Sequence, residues 1–316
     1  MEARWGLTPA LRAAAWNVRV DHSTAEALRA FDRAGVSSVV LRGPAMVRWL
    51  YEPGERRLYR DTDLLVAPND WEAAQRVLSQ MGFVAPGELA PTPWWNTHAV
   101  EWTRPADAAL VDLHYTLQGA GVDPARLWST LSRHTETLVI RDFPATVLTI
   151  PARALTLALH ACHHGPGWGP ALEELERALA RADEATWRAA AGLAAELDAT
   201  DSFAAGLRLV ADGQVLGDRL GLPSEVPLKI ALAPGFAPSG ALTIERFARA
   251  SMRRRLAMIR YAVGPPPSFL RGWLRRDLSG RLELARAYAQ RAAWLVGRAP
   301  AAVGAWRRAR RAAQPE

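Results

Sequence analysis

The chain has one cysteine and one lysine in 316 residues. The lone Cys162 excludes an internal disulfide framework and suits a reducing compartment. The lone Lys229 leaves almost all positive charge to arginine, a bias that base composition explains as readily as function does. No apolar run approaches the roughly 20 residues of a membrane span. The opening MEARWGLTPALRAAAW has no apolar core of signal-peptide length. Internal repeats and long low-complexity segments are also missing. These absences point to a soluble cytoplasmic protein. Its length allows one large domain or two modest ones, and a hydrophobic content of 49% is ample for a sizeable core.

The charge that is present is unevenly placed. From Ser251 onward there are 15 Arg against Asp277, Glu283 and Glu316, a net of +12, whereas the whole chain carries +7. A mildly acidic body therefore ends in a strongly basic segment. Such a segment suits an anionic partner: nucleic acid, a membrane surface or an acidic protein patch. It also reads as a solvated helix face, since aromatics and acids interrupt the run.

Local patterns set out the organisation. A first helix is expected over 9–20. A second, capped by Ser23 with Glu26 three residues on, is expected to end near Gly35. SSVVL (37–41) reads as a buried strand running into the turn Arg42-Gly43-Pro44, with Pro44 opening a helix. DTDLLVA is the next strand, and Asn69 is placed to cap a helix through Met81 that Gly82 closes. THAVEWT (97–103) and ALVDLHYTL (109–117) predict a hairpin, and TLVI with TVLTI predicts another around Phe143-Pro144. Beyond Pro151 the pattern turns helical, with helices expected over 151–164, 171–197, 201–212, 241–263 and 278–297. The expected division is an α/β part over 1–150 and a helical part with a basic end over 151–316.

The acids carry the chemistry. Asp61 and Asp63 alternate with Thr62, so a strand points both to one face, ~7 Å apart. Unpaired, they would repel and raise each other's pKa; together they can share a hard cation. Asp112 stands among apolar residues in a later strand, where an acid does little for stability. If the two strands are neighbours, the three carboxylates converge. Upstream, Gly43 lets backbone approach a ligand, and the helix that follows favours anions. An anion cradle beside acids for a divalent metal is what a nucleoside triphosphate with Mg²⁺ needs.

With those residues in place, LRGPAMVRWL, RDTDLLVAPNDWEAAQRVLSQMGF and VDLHYTL resemble the uncharacterised bacterial nucleotidyltransferase family of the polymerase-β superfamily. The likeness covers about 35–118, with weaker echoes in HACHHG and PPPSFLRGWL. It implies an α/β (α+β) polymerase-β-like nucleotidyltransferase domain with a mixed sheet, followed by a mostly helical domain. It implies Mg²⁺ (or Mn²⁺) and an NTP such as ATP as co-substrate. The nucleoside monophosphate would pass to an acceptor hydroxyl or phosphate on a small molecule, peptide natural product, protein or RNA. Asp61, Asp63 and Asp112 would be the catalytic, metal-holding acids. Arg42, Gly43, Pro44, Arg60 and His114 would meet the nucleotide. Two positions depart from the pattern. Arg42 replaces a lysine and can grip phosphate bidentately. Pro44 replaces a small residue and removes one backbone N–H. The alternative expectation is a non-catalytic nucleotide- or nucleic-acid-binding protein on the same fold.

Other residues carry open readings. Arg56, Arg57 and Arg60 crowd the approach to the acids, and only Arg60 matches the family pattern. His114 shares a strand face with Asp112 and is either a site residue or a hydrogen-bonded core histidine. His160, His163 and His164, with Cys162, cluster on one helix as packing or a cleft wall, with metal binding as the minor reading. Trp94, Trp95 and Trp168 fall in expected loops, as a lid over the core or as stacking surfaces.

Overall fold

Pro9–Arg33 forms one unbroken helix, α1, in the computed structural model, which describes residues 9–52, 55, 57–85, 98–274 and 276–313. The expected break at Ser23 does not occur. Ser23 and Thr24 instead turn their hydroxyls back to the Val20 carbonyl, at 3.0 and 2.8 Å, and are buried. A hydroxyl satisfied within the helix has no need to act as a cap. The helix does stop where expected, before Gly35 at φ 68°.

Six strands follow, with short helices between them. In chain order these elements are β1 (Ser38–Val40), α2 (Pro44–Leu50), β2 (Thr62–Val66), α3 (Trp71–Gln80), β3 (Ala99–Arg104), β4 (Ala109–His114), α4 (Pro124–Leu131), β5 (Thr135–Ile140) and β6 (Phe143–Leu148). The expected cap at Asn69 is replaced by a 3₁₀ turn over Pro68–Asp70, and Asp70 accepts from the Ser37 backbone N–H instead of capping α3. Both predicted hairpins form, β3 with β4 and β5 with β6.

The strands make a single mixed sheet in the order β3-β4-β2-β1-β6-β5. Pairs β2/β4 and β1/β6 are parallel and the others antiparallel. Alternation sorts the side chains. Val40, Leu64, Val66, Val111, Leu113 and Val147 pack on one face with Leu28 and Phe31 of α1 and Val77 and Leu78 of α3. Val39, Leu41, Leu65 and Leu148 pack on the other, with Leu127 and Leu131 of α4 and the helices that follow.

Those helices are α5 (Ile150–His164), α6 (Gly169–Arg181), α7 (Glu184–Glu196), α8 (Thr200–Leu207), α9 (Ala211–Arg219), α10 (Leu228–Ala231), α11 (Ala241–Arg249), α12 (Met252–Val263), α13 (Pro267–Leu274) and α14 (Arg281–Ala312). Three expected long helices are each two. The 171–197 pattern breaks where Asp183 caps α7 by accepting from the Thr186 N–H at 2.8 Å. The 201–212 pattern breaks at Val210, which is extended before α9. The 241–263 pattern breaks at extended Ala250 and Ser251. The last helix, expected over 278–297, runs on to Ala312 with Pro300 inside it. Apolar periodicity continues across such short breaks because successive helices face the same core. Helix α5 is buried along most of its length and lies close against α8, where a Cβ on Gly206 would sit 1.9 Å from the Ala158 carbonyl oxygen. The apolar cluster on this face joins sheet residues to α5, α6, α7 and α8.

Candidate active site

Strands β2 and β4 lie side by side in parallel, and their register sets Asp63 opposite Asp112 and Leu65 opposite His114. Asp63, Asp112 and His114 each offer a ligand atom, all within 4.8 Å of one another. His114 Nε2 is 3.2 Å from Asp63 Oδ1. Asp61, one residue before β2, lines the same cavity. The opposite side of the strand is pinned: Thr62 and Thr24 share a buried hydroxyl hydrogen bond of 2.6 Å, tying β2 to α1. The acids are therefore held by a strand whose other face is closed.

Their electrostatics is unbalanced. Burial, then the neighbouring Asp63 and Asp61 charges, push the Asp112 carboxyl up to about 7. Burial and Asp63 likewise raise Asp61. Burial alone would raise Asp63 too, but the hydrogen bond with His114 and the charge of Arg42 prevail and hold it below the usual carboxylate range. Glu101 of β3 stands opposite Asp112 in register and adds a fourth acid on this face, one that sequence reading missed.

Cations face the acids across a cavity of about 720 Å³. Gly43 precedes α2 at φ 63° and ψ −118°, a conformation that favours glycine. The α2 helix has only seven residues, so arginines rather than its dipole dominate this end. Arg42 Nη1 donates to the His160 ring, 2.6 Å from Nδ1, and Nη2 donates to Glu174 at 3.2 Å. Arg57 is hydrogen-bonded to the same Glu174. Glu174 is buried on α6, so one carboxylate from the helical half orients two arginines of the sheet half. Asn17 of α1 fixes the segment by donating to the Arg57 carbonyl at 2.6 Å, and Tyr59 donates its hydroxyl to Asp21. Arg60 lines the cavity and is exposed.

The remaining wall is imidazole. Five of the seven histidines line this cavity: His98, His114, His160, His163 and His164. Their rings run in contact from the acids toward Arg42: His114 to His98 at 5.3 Å, His98 to His163 at 5.5 Å, His163 to His164 at 4.9 Å and His164 to His160 at 4.3 Å. Trp168 stacks on His164. Burial holds His98 and His164 down at about 4, helped by neighbouring histidines and, for His164, by Arg42. Burial and then Arg42 keep His160 well below the ordinary value, and burial lowers His163. His98, His160, His163 and His164 are therefore neutral at physiological pH. Cys162 takes no part; it is buried, with its thiol pushed up to about 12.

The eight residues expected to be catalytic or to meet the nucleotide all lie here, with Pro44 buried just behind Gly43 and the other seven lining the cavity. His114 proves to be both buried and at the site. Trp94 and Trp95 lie outside the described residues. Besides Glu101, sequence reading missed Glu174 and His98, and it set Arg57 aside in favour of Arg60. Glu174 sits on a regular amphipathic helix, where nothing local marks it. The donor set suits a hard divalent cation: the Asp63 charge raises the pKa of Asp61 and Asp112, a repulsion that a bound cation would offset.

Comparison with known proteins adds the following. The family described as "Uncharacterised nucleotidyltransferase" matches residues 2–212. No curated protein matches the chain. Among solved structures, the antibiotic-resistance factor ANT(2'')-Ia is similar at 16% identity and TM-score 0.41, covering 58% of this chain and 93% of its own. An antigenic nucleotidyltransferase-like protein from Paracoccidioides brasiliensis is similar at 14% identity and TM-score 0.34, covering 59% and 92%. The lincosamide antibiotic adenylyltransferase LnuA is similar at 13% identity and TM-score 0.34, covering 49% and 93%.

Proposed function

The chain belongs to the uncharacterised nucleotidyltransferase family, and from that premise we propose that its cavity binds an NTP with a divalent cation and transfers the nucleoside monophosphate to an acceptor hydroxyl or phosphate. The observation that carries this reading is the register pairing of Asp63 with Asp112, which brings two carboxylates and His114 within 4.8 Å.

Asp63 and Asp112, with Asp61 and His114 beside them, hold the cation. Mg²⁺ or Mn²⁺ there would neutralise triphosphate charge and help set the α-phosphorus in line for attack. Arg42 and Arg57, fixed by Glu174, meet the phosphates, and the exposed Arg60 closes on them from the rim. Gly43 allows backbone against the phosphates. Asp112 accepts the proton of an acceptor hydroxyl as its oxygen bonds to the α-phosphorus. The bond from that phosphorus to pyrophosphate breaks, and the pair leaves with pyrophosphate. The neutral histidines and Trp168 form the wall against which base or acceptor packs. In this arrangement residues 1–150 supply the acids, the arginines, His98 and His114, while 151–316 supply His160, His163, His164, Trp168 and Glu174. The acceptor is a small molecule, a peptide, a protein or an RNA. The setting is cytoplasmic, where NTPs are supplied.

The test uses each NTP labelled at the α-phosphate, with Mg²⁺ or Mn²⁺ and a cell extract. Label should move to an acceptor with the wild-type protein and not with Asp63→Asn or Asp112→Asn. Absence of both label transfer and thermal stabilisation, for every NTP with either ion, would overturn the proposal.

A further inference from the structure

Helix α12 leaves Met252, Leu256, Ile259 and Val263 67%, 60%, 48% and 76% exposed. Their spacing of four, three and four places them within roughly a 60° arc, one continuous aliphatic stripe along the whole helix. Met258 is buried on another side, so the helix is packed and the stripe is its outward face. Arg253 and Arg260 run along one margin of the stripe, seven residues apart. With Arg254, they make no side-chain hydrogen bond or ion pair among the described residues. Arg255 is spent differently: it donates to the Phe247 and Ala248 carbonyls at 3.0 and 2.7 Å and ties α12 to α11. The helix holds four arginines and no acid.

We propose that this face of α12 docks the protein on an anionic lipid surface, with the aliphatic stripe entering the headgroup boundary and the arginines pairing with lipid phosphates. An exposed apolar stripe bordered by arginine is the pattern of a helix lying in a membrane interface. Charge decides against a second copy, because pairing two such faces would bring their arginines together. The stripe decides against nucleic acid, whose phosphates have no use for four aliphatic side chains. Breadth favours lipid over a single acidic protein. The region from Ser251 onward carries +12, and α14 also exposes Leu282 (65%) and Val296 (73%). A fluid surface meets such scattered groups without a matching shape. No described helix is long and apolar enough to cross a membrane, so the contact is superficial. The family match ends at residue 212, which makes this segment separate from the part that carries the nucleotidyltransferase pattern.

The experiment is co-sedimentation of the full chain with phosphatidylglycerol–phosphatidylcholine vesicles and with pure phosphatidylcholine vesicles. Wild type should prefer the anionic vesicles by about tenfold or more. Leu256→Glu with Ile259→Glu should weaken that binding by about a hundredfold at an unchanged melting temperature, since both side chains are exposed. Arg253→Gln with Arg260→Gln should remove most of the preference for anionic lipid. Equal partition with and without anionic lipid, or binding unaffected by the double glutamate variant, overturns the proposal. So does a vesicle-free dimer that the glutamate variant converts to monomer, or displacement from vesicles by an RNA that binds both proteins equally.

Discussion

One strand, β2, has two faces with opposite tasks. Thr62, Leu64 and Val66 face α1 and α3 and are fully enclosed, with the one hydroxyl paired to Thr24. Asp63, with Asp61 just outside the strand, faces a cavity and stands beside Asp112 and His114. The first face contributes stability through apolar burial. The second costs stability, because partly buried carboxylates repel one another. The difference shows how a sheet tolerates a strained site: the closed face fixes the strand so that the open face can hold like charges together.

The comparison is broken or sharpened by changing each face separately. The largest effect is expected from Asp61→Asn, which should lower nucleotidyl transfer by about a thousandfold or more. Its melting temperature should hold or rise, because a repelling charge is gone. A matching loss of stability would mean that the acids are structural, and the two-face account would fail. Leu64→Ala on the closed face should do the reverse. It should cost about 3 kcal/mol of stability by urea unfolding, while the folded fraction keeps its affinity for NTP and Mg²⁺. Glu174→Gln is subtler. It should raise KM for NTP roughly tenfold with little change in kcat, since the arginines lose their orienting charge but not their own. A change in kcat alone would place Glu174 in the chemistry rather than behind it.

The smallest effect concerns the imidazole wall. His98 and His164 are held at about 4 in the folded protein, below the ordinary 6.5. The unfolded chain therefore takes up protons first as the pH falls. Stability from these groups is full above 6.5, falls between 6.5 and about 4, and levels off below. A loss of about 2 kcal/mol over that window is expected after discounting for partial exposure, and His98→Gln with His164→Gln should flatten it. A denaturation midpoint that stays constant from pH 7 to pH 4 would show that the wall is not desolvated.

Much of the sheet was readable in advance because strands and hairpins carry local marks. SSVVL before Arg42-Gly43-Pro44 and the two hairpins announce themselves by β-branched runs and turn residues. Helix ends were less readable. Ser23 looks like a cap until its hydroxyl is seen bonded to Val20, and the 171–197 pattern hides the break at Asp183. Local sequence states that a residue can cap, not whether the chain around it asks it to. The site divided the same way. Asp61, Asp63 and Asp112 stand out as acids in apolar runs, whereas Glu174 and Arg57 look like ordinary surface charges and are not.

The sequence by itself determined which polar residues share a side on each segment, because period-two alternation puts Asp61 and Asp63 on one side of β2 and Asp112 and His114 on one side of β4. The adjacency of those strands, the register of Asp63 against Asp112, and the arrival of Glu174 and five histidines at one cavity were decided only by tertiary structure. The physical reason is separation along the chain. Asp63 and Asp112 are 49 positions apart, and Arg42 and Glu174 are 132 apart. Side-chain direction is a property of a few neighbouring residues, but which strand and which helix become neighbours depends on how the whole core packs.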